Sequence, residues 1–178
     1  MFHVIVTGPE SAGKSALASE LAGRLGGLVV PEYARGYLEA AGRRAVLADF
    51  DHFAAVVPRL LTHVRARDPP VIVQDTGLEV LRVWAEDKFG GAPPSVCDGW
   101  FAQAPDAYVL CHPDLPWEYD PLREDPHRRA ELFRRYRALL AQTGRPVLEA
   151  RGRGRERVGE VARALEHLRG GPVDYEEE

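Results

Sequence analysis

Short apolar runs alternate with longer amphipathic stretches along the whole chain. His3-Val4-Ile5-Val6-Thr7 is nearly continuous in apolar character, which predicts a strand buried on both faces. From Lys14 to about Leu25, Leu17, Leu21 and Leu25 recur at helical spacing, and Gly26-Gly27 ends that helix. Leu28-Val29-Val30 reads as a second strand, and Ala34 to about Ala41 as a helix stopped by Gly42. Asp49 to about Arg67 is helical in pattern, with Pro58 expected to kink or divide it. Val71-Ile72-Val73-Gln74-Asp75 is a third strand that ends in a carboxylate. Helices follow from Leu78 to about Phe89, closed by Gly90-Gly91, and over 95–103.

Ala107 to Cys111 is the fourth strand. The stretch 112–125 is rich in Pro, acidic and aromatic residues and reads as a long loop. Asp125-Pro126 then offers an N-cap and a first-turn proline for a helix to about Gln142, with Gly144 to close it. Pro146-Val147-Leu148-Glu149 is the fifth strand and 155–168 the last helix. Residues 171–178 form a frayed acidic tail. Strands alternating with helices predict an α/β fold, a five-stranded parallel sheet with helices on both faces. Ligands of such sheets bind at the carboxyl ends of the strands. No internal repeat is visible, and 178 residues suit one domain, residues 1–178.

Composition narrows the partners. A net charge of −4 gives no reason to expect nucleic-acid binding. No apolar run approaches the roughly 20 residues of a membrane span. No basic leader precedes the first strand, so a cytoplasmic location is expected, and with it free thiols at Cys97 and Cys111. Lysine occurs only at Lys14 and Lys88, although arginine is abundant. One of those two lysines lies in the motif described next, where a guanidinium cannot replace a compact ammonium.

Gly8-Pro9-Glu10-Ser11-Ala12-Gly13-Lys14-Ser15 fits the phosphate-loop pattern G-x-x-x-x-G-K-[ST], placed after a strand and before a helix, where the mechanism needs it. Backbone N–H groups of this loop and of the helix start, including Ala16, are expected to hold the phosphates of ATP. Lys14 should reach the β- and γ-phosphates, and the Ser15 hydroxyl should bind Mg²⁺. Asp75, at the end of an apolar strand, has the form of a second Mg²⁺ ligand, a carboxylate, although an Asp there can also cap the next helix. Glu32, after the second strand, is placed to accept the proton of a substrate hydroxyl, or simply to favour a helix start. Arg35 can pair with Glu32 or touch an anion, and Tyr33 lies between them. Arg123 and Arg128 in the 112–129 region are candidates for stabilising the transferring phosphoryl group, with Asp120 on the acceptor side and Arg129 an alternative to Arg128. Trp84 and Trp117 are candidate platforms for a flat ring, and Trp84 also fits a core position.

Taken together, these residues resemble the ribosylnicotinamide kinase domain of NadR-type proteins. The resemblance rests on Thr7 to Ser15, Pro31-Glu32-Tyr33-Ala34-Arg35, Gln74-Asp75-Thr76, Val83-Trp84-Ala85-Glu86, Pro113-Asp114-Leu115-Pro116-Trp117 and Asp120-Pro121-Leu122-Arg123-Glu124. It implies a three-layer P-loop kinase fold with a lid at about 112–129. It also implies ATP- and Mg²⁺-dependent transfer to the 5′-hydroxyl of nicotinamide riboside, a small-molecule acceptor. Members with DNA-binding or adenylyltransferase modules are longer. An Asp-Thr-Asp often seen in the family is Asp75-Thr76-Gly77 here. Two other readings stay open, a kinase for another nucleoside or metabolite and a nucleotide-switched regulatory module. A GTPase is disfavoured, because the guanine-reading motif of common GTPases uses Asn and the sequence has none.

Overall fold

The computed structural model describes residues 1–119 and 127–170. The elements run β1 (Phe2–Thr7), α1 (Lys14–Arg24), β2 (Leu28–Val30), α2 (Tyr33–Ala41), α3 (Leu47–Arg65), β3 (Val71–Asp75), α4 (Leu78–Phe89), α5 (Pro94–Gln103), β4 (Ala107–Cys111), α6 (Arg129–Ala141), β5 (Val147–Ala150) and α7 (Gly154–Leu168). The strands form one five-stranded sheet in the order β2-β3-β1-β4-β5, with every pairing parallel. β1 is central, and the chain crosses from its β3 side to its β4 side. Parallel order with helical crossovers buries both faces, which is why β3 and β4 are buried at every position.

Alternation along the strands separates the two faces. Val4 and Val6 of β1 pack with Val71, Val73 and Val109 against α1 and α7. Ile5 points the other way, into a core built from α2 to α6 around Phe50, Phe53, Trp100, Tyr108 and Leu140. Register then places the chemistry. Val6 of β1 stands opposite Asp75, the last residue of β3, and the Thr76 N–H donates to the Val6 carbonyl at 3.0 Å. The end of the carboxylate strand is therefore fixed beside the start of the Gly8 turn.

Three sequence expectations shift. Pro58 does not divide α3, which runs unbroken through it. Phe53, Ala54 and Leu61 are buried on either side of it, so packing holds the helix across the missing N–H. α3 also starts at Leu47, two residues before Asp49. Asp49 sits inside its first turn and accepts from the Val46 N–H at 2.8 Å and from Arg43 at 2.7 Å. The Arg43 guanidinium holds the Asp49 carboxyl down at about 2. The third shift concerns α6, which starts at Arg129 rather than at Asp125-Pro126; those two lie outside the described residues. Arg128, in the cap position, makes no side-chain bond to the helix backbone and pairs instead with Asp87 of α4 and with Glu131 in the first turn of α6. Gly144, with φ 65°, turns the chain after the Gln142 cap.

A polar group is buried between β1 and β3. His3 Nε2 lies 3.0 Å from Gln74 Oε1, with Arg65 at 3.5 Å from Nδ1. The backbone N–H of His3 donates to Asp106 at 2.7 Å. Burial lowers the His3 pKa from 6.5 to about 4, with Gln74 opposing and Arg65 assisting. The folded state thus binds fewer protons than the unfolded chain between those values, and stability falls as pH drops through this window. The full loss is about 3 kcal/mol. Denaturant titration at pH 7 and pH 4.5 should show His3→Gln losing less stability on acidification than the parent; equal losses would remove His3 as the cause.

Candidate active site

The phosphate loop leaves β1 by a turn that only glycine fits. Gly8 has φ 133°, and a Cβ there would lie 2.8 Å from the Cys111 carbonyl oxygen of β4. Gly13, the cap of α1, has φ 70° and would press a Cβ against Leu115 at 2.8 Å. Lys14 Nζ donates to the Pro9 carbonyl at 2.9 Å, which folds the ammonium back across the loop. The result is a concave run of backbone amides at a helix N-terminus beside a cation.

Asp75 is 5% exposed at the end of β3. Burial raises its pKa, while the Ser15 hydroxyl and the Lys14 ammonium lower it. Its Oδ1 is buried without a hydrogen-bond partner. A hard-oxygen donor left unsatisfied next to a serine hydroxyl fits Mg²⁺, which takes one or two protein oxygens and fills the rest with phosphate and water. Cys111 lies nearby on β4, and burial pushes its thiol up to about 11, so it is an inert packing group. Cys97 is also a free thiol.

A cavity of about 300 Å³ opens from the phosphate loop and is lined by residues 8–16, Glu32, Arg35, Trp84 and Asp87, among others. The sheet explains Glu32. It caps α2 directly after β2, so it reaches the same sheet edge as Asp75. Arg35 Nε stands 3.8 Å from Glu32 and Arg35 Nη1 3.7 Å from Glu39, which keeps that cation beside carboxylates. Trp84 lines the cavity and packs edge-on to Phe50 at 5.2 Å, so it is both wall and core.

Not all of the sequence candidates gather there. Tyr33 faces a second, small hollow, and its hydroxyl meets His52 Nε2 at 2.9 Å. Trp117 does not line the cavity; the Arg129 guanidinium covers its ring at 5.8 Å. Arg128 is committed to Asp87, at 2.8 Å and 3.0 Å, and to Glu131 at 2.8 Å. Asp120 and Arg123 lie outside the described residues. The described part of the 112–129 segment docks on the phosphate loop. Ser11 Oγ donates to the Glu118 carbonyl at 3.3 Å and accepts from its N–H at 3.2 Å, while Arg129 Nη1 donates to the Leu115 carbonyl at 2.8 Å.

Sequence reading missed three residues. Asp87 lines the cavity and is clamped by Arg128 and by Arg135 at 2.6 Å, which lowers its pKa. Tyr136 of α6 is 5% exposed in the core and also reaches the cavity wall. Glu79 is fully buried, accepting from the Gly77 N–H at 2.9 Å and from Gln103 at 3.0 Å, and burial raises its pKa. A Cβ at position 77 would lie 2.5 Å from Glu79 Oε2, which accounts for Gly77. On a helical wheel, Glu79 is only an exposed first-turn acid, so nothing in the pattern marked it.

A family profile described as an AAA domain matches residues 3–157. Among solved structures, the chain is similar to a NadR protein in complex with NAD and AMP-PNP (TM-score 0.71, 19% identity, 99% of this chain and 52% of that one). It is similar to a NadR protein in complex with NR (TM-score 0.69, 22% identity, 99% and 54%). It also resembles deoxyadenosine kinase from M. mycoides (TM-score 0.62, 11% identity, 93% and 100%). At these identities the likeness is one of fold, a P-loop kinase fold shared with nucleoside and nucleotide kinases. The chain spans about half the length of the NadR structures it matches. Comparison with the curated proteins gives no match. No described helix is long and apolar enough to cross a membrane.

Gly8→Ala tests the turn. The added methyl meets backbone rather than a mobile side chain, so unfolding free energy should drop by about 1–3 kcal/mol, with weaker ADP binding. Denaturant titration and nucleotide titration read both effects, and an unchanged midpoint would refute the fit argument.

Proposed function

The chain belongs to the AAA domain family, and from that premise we propose that it is an ATP- and Mg²⁺-dependent kinase that phosphorylates the 5′-hydroxyl of nicotinamide riboside. One observation carries the reading. The cavity continues from the phosphate loop to a wall of Leu38, Val80, Val83, Trp84, Leu132 and Tyr136. Its volume of about 300 Å³ suits a flat acceptor of nucleoside size. Among the described lining residues the cations are Lys14 and Arg35, and Arg35 stands beside Glu32 and Glu39. A phosphorylated acceptor needs arginines directed at its phosphate. A neutral or cationic nucleoside does not, and the pyridinium of nicotinamide riboside is a cation that an aromatic wall favours.

The chemistry follows from the residues. The loop amides and Lys14 hold the β- and γ-phosphates. Ser15 and Asp75 supply oxygens for Mg²⁺, which when bound neutralises charge on the phosphates. Glu32 accepts the proton of the acceptor 5′-hydroxyl as its oxygen bonds to the γ-phosphorus. The bond between that phosphorus and the β–γ bridging oxygen breaks, and ADP leaves with the electron pair. Arg123 and Arg128 would bear on the transferring group from the 112–129 segment, with Arg128 first released from Asp87. Trp84 stacks the base, with Trp117 and Asp120 as further candidates on the acceptor side. The reading fits a protein of the cytoplasm, where ATP is plentiful.

Gly77 favours a second reading within the same class, a kinase for another nucleoside, because the second Asp of the Asp-Thr-Asp often seen in the family it resembles is Gly here. A panel of nicotinamide riboside, adenosine, cytidine, thymidine and thymidine monophosphate, incubated with MgATP and read by mass spectrometry, separates these outcomes. Nicotinamide mononucleotide is the expected product. Turnover of a different nucleoside moves the assignment to it, and ADP formation that no acceptor accelerates points to a nucleotide-switched module. Lys14→Ala and Asp75→Asn should each lower kcat by about 10²- to 10³-fold. Glu32→Gln should lower kcat by about 10²-fold or more with little change in acceptor KM, and a changed KM alone would make Glu32 a binding residue.

Asp87→Asn bears on the acceptor wall. It loosens the Arg128 and Arg135 clamp, so acceptor KM should rise about tenfold while the KM for MgATP stays within twofold. A rise in the MgATP KM instead would place Asp87 with the donor.

A further inference from the structure

Arg157 lies near the start of α7 and is 4% exposed. Its Nη2 donates to the Ala12 carbonyl of the phosphate loop at 3.0 Å and to the Ala150 carbonyl at the end of β5 at 3.3 Å. Its Nη1 faces Gly13, where a Cβ would stand 3.1 Å away. The Nε is buried without a hydrogen-bond partner. The hydrogen bonds of this guanidinium end on neutral carbonyl oxygens, and among the described residues no ion pair joins it to a carboxylate.

A buried cation met only by neutral carbonyls is a poor device for stability. Replacing buried charge by apolar atoms of similar volume is often neutral or stabilising. The position of this charge suggests another use. The Ala12 carbonyl and the Gly13 N–H belong to one trans peptide, so they point in opposite directions. A guanidinium that fixes the Ala12 oxygen behind the loop turns the Gly13 N–H toward the phosphate side. Its charge acts there too, through protein rather than water, where screening is weak.

We propose that Arg157 is a positioning residue for the donor nucleotide: from behind the phosphate loop it pins the Ala12–Gly13 peptide and supplies a buried positive charge that the bound polyphosphate compensates. The chain thus meets the phosphates with Lys14 in front and Arg157 behind. This role is independent of the acceptor, and it leaves the ligand-free protein carrying an electrostatic cost that nucleotide binding relieves.

The test uses MgADP alone, titrated by competition against a fluorescent ADP analogue, with thermal melts of the ligand-free protein alongside. Arg157→Met should weaken MgADP binding by about tenfold or more while the ligand-free melting temperature holds or rises. Arg157→Lys, which keeps the charge but not the fork of donors, should fall between the parent and Arg157→Met. Unchanged affinity in Arg157→Met overturns the proposal, whether or not the melting temperature falls; so does a loss in Arg157→Lys as large as in Arg157→Met. If Arg157→Met does not fold, Arg157→Gln must bind MgADP more weakly than Arg157→Lys, and equal affinities reject the role.

Discussion

The site depends on how closely the turn after β1 approaches β4. Gly8 sits against the Cys111 backbone, where a Cβ would stand 2.8 Å from a carbonyl oxygen. That contact lets the chain turn back at once into a loop of amides instead of arching over the sheet. Because β1 is central and parallel to both neighbours, the same turn lies between the ends of β3 and β4. Asp75 is then beside the loop by register, with no side-chain contact needed to bring it there. The phosphate cradle and its carboxylate are consequences of strand order and one permissive residue.

That dependence explains what the sequence made legible. The strands are short apolar runs, and their order of appearance with helices between them already implies a parallel sheet. A motif that obeys local geometry, such as Gly8 to Ser15, can be recognised without the rest of the fold. Asp75 is readable for the same reason, since it ends a strand and strand ends share an edge. Pro58 does not divide α3 because local propensity gave way to packing, with Phe53 and Leu61 buried on either side of it. The start of α6 falls at Arg129, where Arg128 in the cap position ties Asp87 of α4 to Glu131 of the first turn, a tertiary contact that local capping signals do not reveal.

The cavity wall away from the phosphate loop was less legible, and the reason is distance along the chain. It joins α2, α4 and α6, whose cavity-facing residues look like ordinary core positions in each helix taken alone. Tyr136 and Asp87 acquire meaning only when α6 lies across α4, and no periodicity announces that. Tyr33 and Trp117 show the converse. Both have the chemistry of a ligand platform, yet one is occupied with His52 and the other lies beneath Arg129. Residue type marks both as candidates, and the fold sets each against a neighbouring side chain.

The two ends of the sheet divide stability from chemistry. At the amino end, His3 finds Gln74 and Asp106, and its ring stays neutral through burial. At the carboxyl end, Asp75 Oδ1, His112 Nδ1 and Arg157 Nε are buried without hydrogen-bond partners. A fold optimised for stability alone would satisfy those atoms or remove them. Asp75 stands beside Ser15 and Lys14, and Arg157 holds the phosphate loop from behind through the Ala12 carbonyl. Buried polar groups here are therefore not equivalent: His3 and Gln74 complete one another, whereas Asp75 Oδ1 and Arg157 Nε are left without hydrogen-bond partners next to the phosphate loop.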